Sequence, residues 1–584
     1  MSSANGDDQP SRSAYPPRPA RPSPSVSRGT ATPSGPVATG GSPSGPSPDG
    51  TSRPGLVTPS GPRGPDAGEA SPDRARLVLG RVAVIGIVAS VAVMVVVSLA
   101  GPSLSVVAMP RPAIGPPWWI WLHPSPALLT FALWGAVLAG GAGVIAGLVA
   151  VARGARPPVR PLLVFAVLVV GVLTVLPAAG STDILDYAAN GRMAATGHSP
   201  YVLTPLELKQ SGDPIGRWIP PTWETNVSVY GPAATAEEWA AAELGGASMA
   251  RITFWLKLWN SIAFGVVVLL LDRVLRSDPA WRLRAHLLWT VNPLLLWEIV
   301  AGGHIDGLAA AFGLLGLVIL RKPGRADGTG DTETRPGLAR GRPALARFLV
   351  AGLCIGIAAA IKIPFAAFGL GVIWAGRRSV TALAAAAAGF GLVMVPAYAA
   401  AGRPAVSVLI SRGPATTWDT MYQVFYRPFG YTVFGAFNVP PHLTVIAAVA
   451  FVAVAILAFL RFPDGTPGLP AVSPALAVSL AWLLVWSYQR PWYDVMAICL
   501  LTLYPASRLD WLVLGRLMLT ALVYLPGVPG PTPAWLTSTI NVVGDYVSPA
   551  VRLLAAVTFV ALCLSGLWGW RERGRSSAAW RPLV

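Results

Sequence analysis

The sequence predicts an all-α polytopic membrane protein of about fourteen transmembrane helices, and three observations carry that expectation. The 584-residue chain is 53% hydrophobic and only 12% charged, with a mean hydropathy of +0.55. A soluble chain carries about 25% charged residues. Apolar runs of about 18 or more residues recur along the chain, long enough to cross a hydrocarbon core. Arg and Lys gather beside the ends of those runs, where they set topology. The same placement disposes of the nucleic-acid reading that a net charge of +17 invites. Cys354, Cys499 and Cys563 each lie inside an apolar run without metal-like spacing and read as small core residues.

Residues 1–77 read as a disordered cytoplasmic tail, rich in Pro, Ser, Gly and Arg with Tyr15 as its only aromatic residue. The first apolar run lies far from Met1 and is long enough to span, so a membrane helix is expected there and not a cleaved leader. That span, Val78 to Ala100, is entered through Arg74, Arg76 and Arg81. Trp118, Trp119 and Trp121 then form an interfacial belt. The second span, Ala127 to Val151, ends at Arg153, Arg156 and Arg160, and the third is Leu162 to Ala179. Residues 181–249 form the main extracytoplasmic loop. Ile252 to Leu271 returns to Arg273, Arg276, Arg282 and Arg284.

Leu287 to Ala301 and Ile305 to Leu320 are joined only by Gly302-Gly-His304. Each covers about 24 Å, short of a full crossing, and such helices are tolerated where they line a protein cavity. Residues 321–347 form a basic cytoplasmic loop. Phe348 to Trp374 is interrupted by Lys362-Ile-Pro364 and has basic residues at both ends. The positive-inside rule therefore asks for two short helices meeting at Lys362 on the outer side. Val380 to Ala400 crosses outward, followed by a polar loop with Trp418, Asp419, Tyr422 and Arg427. Leu443 to Leu460 returns to Arg461, and Ala475 to Trp486 leads out to Tyr488-Gln-Arg-Pro-Trp-Tyr-Asp494. Val495 to Ala506, Trp511 to Leu525 and Val551 to Trp570 complete the path, leaving 571–584 as a cytoplasmic tail. From a cytoplasmic start, this path puts Asp183, Asp186, His304, Asp306, Lys362, Asp419 and Arg490 on the non-cytoplasmic side.

The polar stretch Gly180-Ser-Thr-Asp-Ile-Leu-Asp-Tyr-Ala-Ala-Asn-Gly-Arg192 follows directly on an apolar run. If it is helical, its i, i+3 spacing sets Asp183 and Asp186 on one face. Carboxylates against a bilayer are costly and are usually kept for a function. Transfer of a sugar from a lipid phosphate needs a carboxylate to take the acceptor proton. It also needs cations or donors for the departing phosphate and a groove for the lipid tail. Asp183 or Asp186 suits the first task, while Lys362, His304, Arg490 and Arg192 suit the second. Plainer readings stand beside these. An Asp after a span also serves as a helix cap, and Lys362 can snorkel to headgroups. Glu298, inside a span, should face the bundle interior, and Tyr230-Gly-Pro232 is by default a turn.

With those residues in view, the chain resembles the polyprenol-phosphate-mannose-dependent alpha-1,6-mannosyltransferases of actinobacteria, in the GT-C class of integral-membrane glycosyltransferases. The resemblance is carried by Thr182-Asp183-Ile-Leu-Asp-Tyr187, Gly191-Arg192, Gly197-His-Ser-Pro-Tyr201, Tyr230-Gly-Pro232, Asn292-Pro293 with Glu298, Gly303-His304-Ile-Asp306, Lys362-Ile-Pro364 and Pro491-Trp-Tyr493. It implies a GT-C-like domain over 78–570 in a bacterial cell membrane, with both termini cytoplasmic and the active site outside. It also implies Asp183 as the base, His304 and Asp306 at the donor phosphate, and inversion in one step, so that Asp186 need not be catalytic. The substrate-binding set expected on this footing is Asp186, Tyr187, Arg192, Tyr201, Tyr230, Glu298, His304, Asp306, Lys362, Arg490, Trp492 and Tyr493. The implied donor is polyprenyl-phosphate mannose and the implied acceptor a growing alpha-1,6-mannan or lipoglycan. A divalent cation is permitted but not implied. The competing readings are a GT-C enzyme for another lipid-phosphate sugar, a flippase or transporter for lipid-linked sugars, and a binding protein without activity. A transporter would place its polar residues near mid-bilayer and often shows internal repeats; neither is evident.

Overall fold

The structure is a computed structural model that describes residues 72–321, 342–412, 416–429, 441–462 and 468–566. Among these residues every regular element is helical, and backbone pairing between extended segments is limited to the Val106–Ala179 bridge. The chain is an all-α polytopic membrane protein. Seven helices are long and apolar enough to cross a bilayer, or eight if one bent pair counts as a span.

Helices α1 (Pro72–Ala100) and α2 (Pro126–Ala152) pack along each other, followed by α3 (Arg160–Val175). The loop region holds α4 (Asp183–Ala195), α5 (Pro205–Gln210) and α6 (Pro232–Gly245), and α7 (Met249–Val274) re-enters the apolar layer. The next segment starts earlier than its hydropathy suggests. Asp278 caps α8 (Pro279–Ala285) by accepting from the Trp281 amide at 3.0 Å. The helix then runs through π turns and the short α9 (Pro293–Leu295) to Ala301. A break at 302–305 turns the chain by 115° into α10 (Asp306–Val318).

Helix α11 (Arg342–Ile361) meets a 3-10 turn at Lys362 and continues as α12 (Phe368–Gly376), so the interruption expected at Lys362-Ile-Pro364 is present. α13 (Val380–Arg412) extends past the expected end, with a non-helical break at Gly402. Then come α14 (Gln423–Tyr426), α15 (Pro441–Arg461), α16 (Val472–Val485), α17 (Val495–Thr502) and α18 (Leu509–Tyr524). The largest departure from the sequence reading lies at the end. α19 (Ala534–Val542), a π turn and α20 (Ser548–Ser565) form one 32-residue apolar helix, where only Val551 onward read as a span. Thr537, Ser538, Thr539, Asn541 and Asp545 dilute the hydropathy of its first half, and Asp545 is held by Arg427 at 3.5 Å. Most of the tail expected over 1–77, most of the 321–347 loop, and the 571–584 tail lie outside the described residues, although α1 already begins at Pro72.

Candidate active site

The approach to α4 is fixed from three sides before its carboxylates appear. Lys257, buried on α7, donates to the carbonyls of Leu173, Leu176 and Pro177 at 2.5, 2.7 and 3.2 Å. A cation thereby satisfies the exposed carbonyl end of α3. The Ala179 amide donates to Ala301 O at 3.1 Å and the Gly180 amide to Ser105 O at 2.7 Å. At the helix start, Ser181 Oγ accepts from the Asp183 amide at 3.1 Å, and Trp223 Nε1 donates to Thr182 Oγ1 at 3.2 Å. The first turn of α4 thus presents Asp183 and Asp186 where the helix dipole favours anions. Behind it α6 packs so closely that a Cβ on Gly191 would stand 2.1 Å from the Glu238 carbonyl oxygen.

Around Asp183 the chain gathers residues from five separate segments. His304 sits in the break before α10, where Gly303 has φ +70°, a backbone conformation that favours glycine. His304 Nδ1 lies 3.3 Å from Tyr187 Oη and 3.9 Å from Asp183 Oδ2. Its ring stacks on Trp492 at 3.7 Å between centroids and 12° between planes. Tyr230 meets Tyr187 edge to face at 5.0 Å. Lys362 Nζ donates to both carboxylate oxygens of Asp306 at 2.9 Å and sits 3.9 Å from the centre of the Tyr493 ring. Arg490 lies over the rings of Tyr488 and Tyr524 at 5.2 and 5.3 Å. Among the described residues no carboxylate lies within ion-pair distance of Arg490. Oδ1 of Asp183 and Nε2 of His304 are buried without a hydrogen-bond partner, which is costly unless a ligand completes them.

The two acids of α4, outside the membrane-crossing helices, differ in character. Burial pushes the Asp183 carboxyl up to about 6, against the charges of Arg490 and Lys362, which favour its ionised form. Burial, with the nearby charge of Asp183, pushes Asp186 up to about 8. At neutral pH Asp183 is therefore mostly ionised and Asp186 mostly protonated. Glu238 on α6 is buried beside Asp186 and is raised well above the ordinary range, first by burial and then by the charge of Asp186. Among the described residues no group of three or more His, Cys, Asp or Glu is arranged to hold a metal ion.

Of the residues singled out from sequence, Asp183, Tyr187, Tyr230, His304, Asp306, Lys362, Arg490, Trp492 and Tyr493 come together. Asp186 lies one turn further along α4, within hydrogen-bond reach of Asn190 Nδ2 at 3.5 Å. Glu298 is buried on the π turn before Ala301. Arg192 is committed elsewhere, donating to Asp213 at 2.8 Å, and Tyr201 Oη pairs with Thr235 Oγ1 at 2.8 Å. Sequence reasoning missed Tyr524, whose ring packs edge to face on Trp492 at 5.0 Å and whose hydroxyl lies 3.3 Å from Ser181 Oγ. It also missed the support beneath the 488–494 segment. There Arg516 is ion-paired with Asp494 and donates to Gln489 Oε1 at 3.1 Å. Arg552 is ion-paired with Asp419 and donates to the same oxygen at 2.5 Å. A lone Arg in each of two apolar helices was the available signal.

Comparison with known proteins adds two findings. The profile of a family described as "Alpha-(1->6)-mannopyranosyltransferase, N-terminal domain" matches residues 83–378, just over half of the chain. That stretch contains Asp183, His304, Asp306 and Lys362, whereas Arg490, Trp492 and Tyr493 lie beyond it. The chain is also similar to Alpha-(1->6)-mannopyranosyltransferase B of Corynebacterium glutamicum, at 30% identity over 142 residues. That match covers 23% of this chain and only 22% of the relative's length.

Proposed function

Since the chain belongs to the alpha-(1->6)-mannopyranosyltransferase family, we propose that it is an inverting glycosyltransferase that moves mannose from a polyprenyl-phosphate donor to a growing alpha-1,6-mannan or lipoglycan. The observation that carries this reading is the setting of Asp183. It is a buried carboxylate with one oxygen unpartnered, and the charges of Arg490 and Lys362 favour its ionised form. In the proposed step the acceptor hydroxyl oxygen bonds to the anomeric carbon as the bond from that carbon to the phosphate oxygen breaks. The hydroxyl proton passes to Asp183 Oδ1, and polyprenyl phosphate leaves with the bonding electron pair. Arg490 and Lys362 stabilise the charge that develops on the leaving phosphate. The unpartnered Nε2 of His304 offers a contact for the sugar or the phosphate. One base suffices for a single displacement, and Asp186, protonated, orients the acceptor as a hydrogen-bond donor. The mechanism invokes no metal ion, and Arg192 and Tyr201 serve the surrounding loop.

The same reading sets the topology. It takes the seven long apolar helices as full crossings and reads the two halves of the bent pair, the four shorter apolar helices and α18 as further short crossings, about fourteen in a GT-C-like arrangement over 78–570. The site faces the non-cytoplasmic side of a bacterial membrane, since the basic junctions then stay cytoplasmic. The test is transfer of label from polyprenyl-phosphate mannose in membranes carrying wild type or Asp183→Asn, with linkage analysis of the product. Wild type should form an alpha-1,6 linkage, and the variant should fall by about a thousandfold, within the range of a lost general base. Undiminished transfer by Asp183→Asn removes the assignment.

A further inference from the structure

Asp183 is 5% exposed, and in the transfer step it ends holding the acceptor's proton, which must leave before the next turnover. Behind it lies a file of buried polar groups. On α4, Asp183, Asp186 and Asn190 fall at i, i+3 and i+7 and so share one stripe of the helix. At Gly191 the helix meets the backbone of α6, which sets Glu238 beside Asp186. Asn190 stands between the two acids. Its Nδ2 is 3.5 Å from Asp186 Oδ2, and its side chain favours the charged form of Glu238. Next to Glu238, Glu237 accepts from Asn260 Nδ2 of α7 at 2.9 Å. Glu238 is fully buried and Glu237 half-buried, so the file runs from the base toward the surface of α6.

The oxygens along this file are left open. Asp183 Oδ1, Asn190 Oδ1, both carboxylate oxygens of Glu238, Glu237 Oε2 and Asn260 Oδ1 are six buried atoms without a hydrogen-bond partner. Each such atom is costly if it stays unmatched, and a succession of them is a seat for internal water, one molecule joining about three polar groups. We propose that this file is a proton relay, which carries the acceptor's proton from Asp183 through Asp186 and Glu238 to Glu237 and out to solvent. This rests on the reading of Asp183 as the base given above. Burial pushes Asp186 and Glu237 up to about 8 and holds Glu238 well above the ordinary range, so at neutral pH all three are mostly protonated. A protonated carboxyl both donates and accepts. Water bound between Asp183 and Asp186 passes a proton to the carbonyl oxygen of Asp186 as the hydroxyl proton of Asp186 moves on. The same exchange at Glu238 and Glu237 delivers one proton to bulk water. Each relaying acid ends with the proton count it began with, and Asp183 is again a carboxylate.

Glu238→Gln keeps the size and shape of the side chain but cannot hand a proton on. Two rates are measured with polyprenyl-phosphate mannose for wild type and variant: a single turnover, with enzyme in excess over labelled donor, and the steady state. The first turnover needs only that Asp183 accept a proton, so its rate should stay at the wild-type value. The steady-state kcat should fall about a hundredfold, the low end of what a positioned proton-transfer group contributes. Glu237→Gln, at the half-buried end of the file, should give the same split, and it carries the test if thermal unfolding shows Glu238→Gln to be misfolded. Equal loss in both rates means that the acid only shapes the surroundings of Asp183, and loss in neither means that the proton leaves another way; either result overturns the proposal. A wild type that makes no product from this donor, or an undiminished Asp183→Asn, fails the reading of the site itself. Those outcomes are separate from an active wild type whose steady state is insensitive to Glu238→Gln.

Discussion

The pair formed by Lys362 and Asp306 gives the sharpest separation of structure from chemistry. Nζ of Lys362 is 2.9 Å from both oxygens of Asp306, and the two side chains are 11% and 1% exposed. Replacing Lys362 by Met keeps an unbranched stem of similar bulk but removes the ammonium from over the Tyr493 ring, and it leaves Asp306 unpaired in the interior. Breaking such a pair from one side costs about 3–5 kcal/mol. Lys362→Met should therefore lower thermal stability in detergent clearly. It should also reduce transfer by about a hundredfold to a thousandfold, the scale of losing one electrostatic contact to a developing charge. Adding Asp306→Asn removes the orphaned charge, so most of the stability should return. Transfer should stay low, because the cation is still missing. Thermal unfolding and initial transfer rates on the four members of this cycle measure both effects. Should transfer recover in step with stability in the double variant, Lys362 only neutralises Asp306, and its proposed role at the phosphate is wrong.

Two further outcomes follow from the same geometry. Transfer should decline as pH falls through about 6, where Asp183 gains a proton, and again as pH rises through about 8, where Asp186 loses one. Asp186→Asn, fixed in the neutral state, should flatten the alkaline limb of the kcat profile and keep the acidic one. Gly191→Ala, whose new Cβ would press on the Glu238 carbonyl at 2.1 Å, should destabilise the α4–α6 contact by about 1–3 kcal/mol, read as a lowered melting temperature.

Much of the candidate site is legible because ionisable residues are scarce and expensive in an apolar chain. Asp183, His304, Asp306 and Lys362 stand out at helix ends for that reason, and the positive-inside rule assigns them to one side before any coordinates. What the sequence does not carry is pairing. Nothing local says that Lys362 grips an acid 56 positions away, or that Trp492 lies flat on His304. Arg192 reads as a phosphate ligand by type and position, yet Asp213 claims it across a loop whose folding no periodicity encodes. Lys257 was legible in principle as a charge inside a span. Its partners, three carbonyls at the end of another helix, exist only once the helices pack. Continuity from α19 into α20 escaped because hydropathy averages over residues, whereas a helix buries or exposes them one face at a time.

The 488–494 segment explains how residues from a region beyond the family match become part of the site. It has two faces. Arg490, Trp492 and Tyr493 meet Tyr524, His304 and Lys362, while Gln489 and Asp494 meet Arg516 and Arg552. A buried charge pair is weak evidence for stability, because desolvation offsets much of the attraction. Its geometric consequence is firmer. Each guanidinium donates in fixed directions, so Gln489 Oε1, which accepts from both, has little freedom. A segment pinned at Gln489 and Asp494 holds the residues between them in register with α10 and α11. The ring of Trp492 then fixes the plane of His304, and that of Tyr493 fixes the place of the Lys362 ammonium. Donors set in advance around a reacting centre need no reorganisation as charge develops. The carboxylate on α4 and the cations opposite it are thus held by elements far apart in sequence.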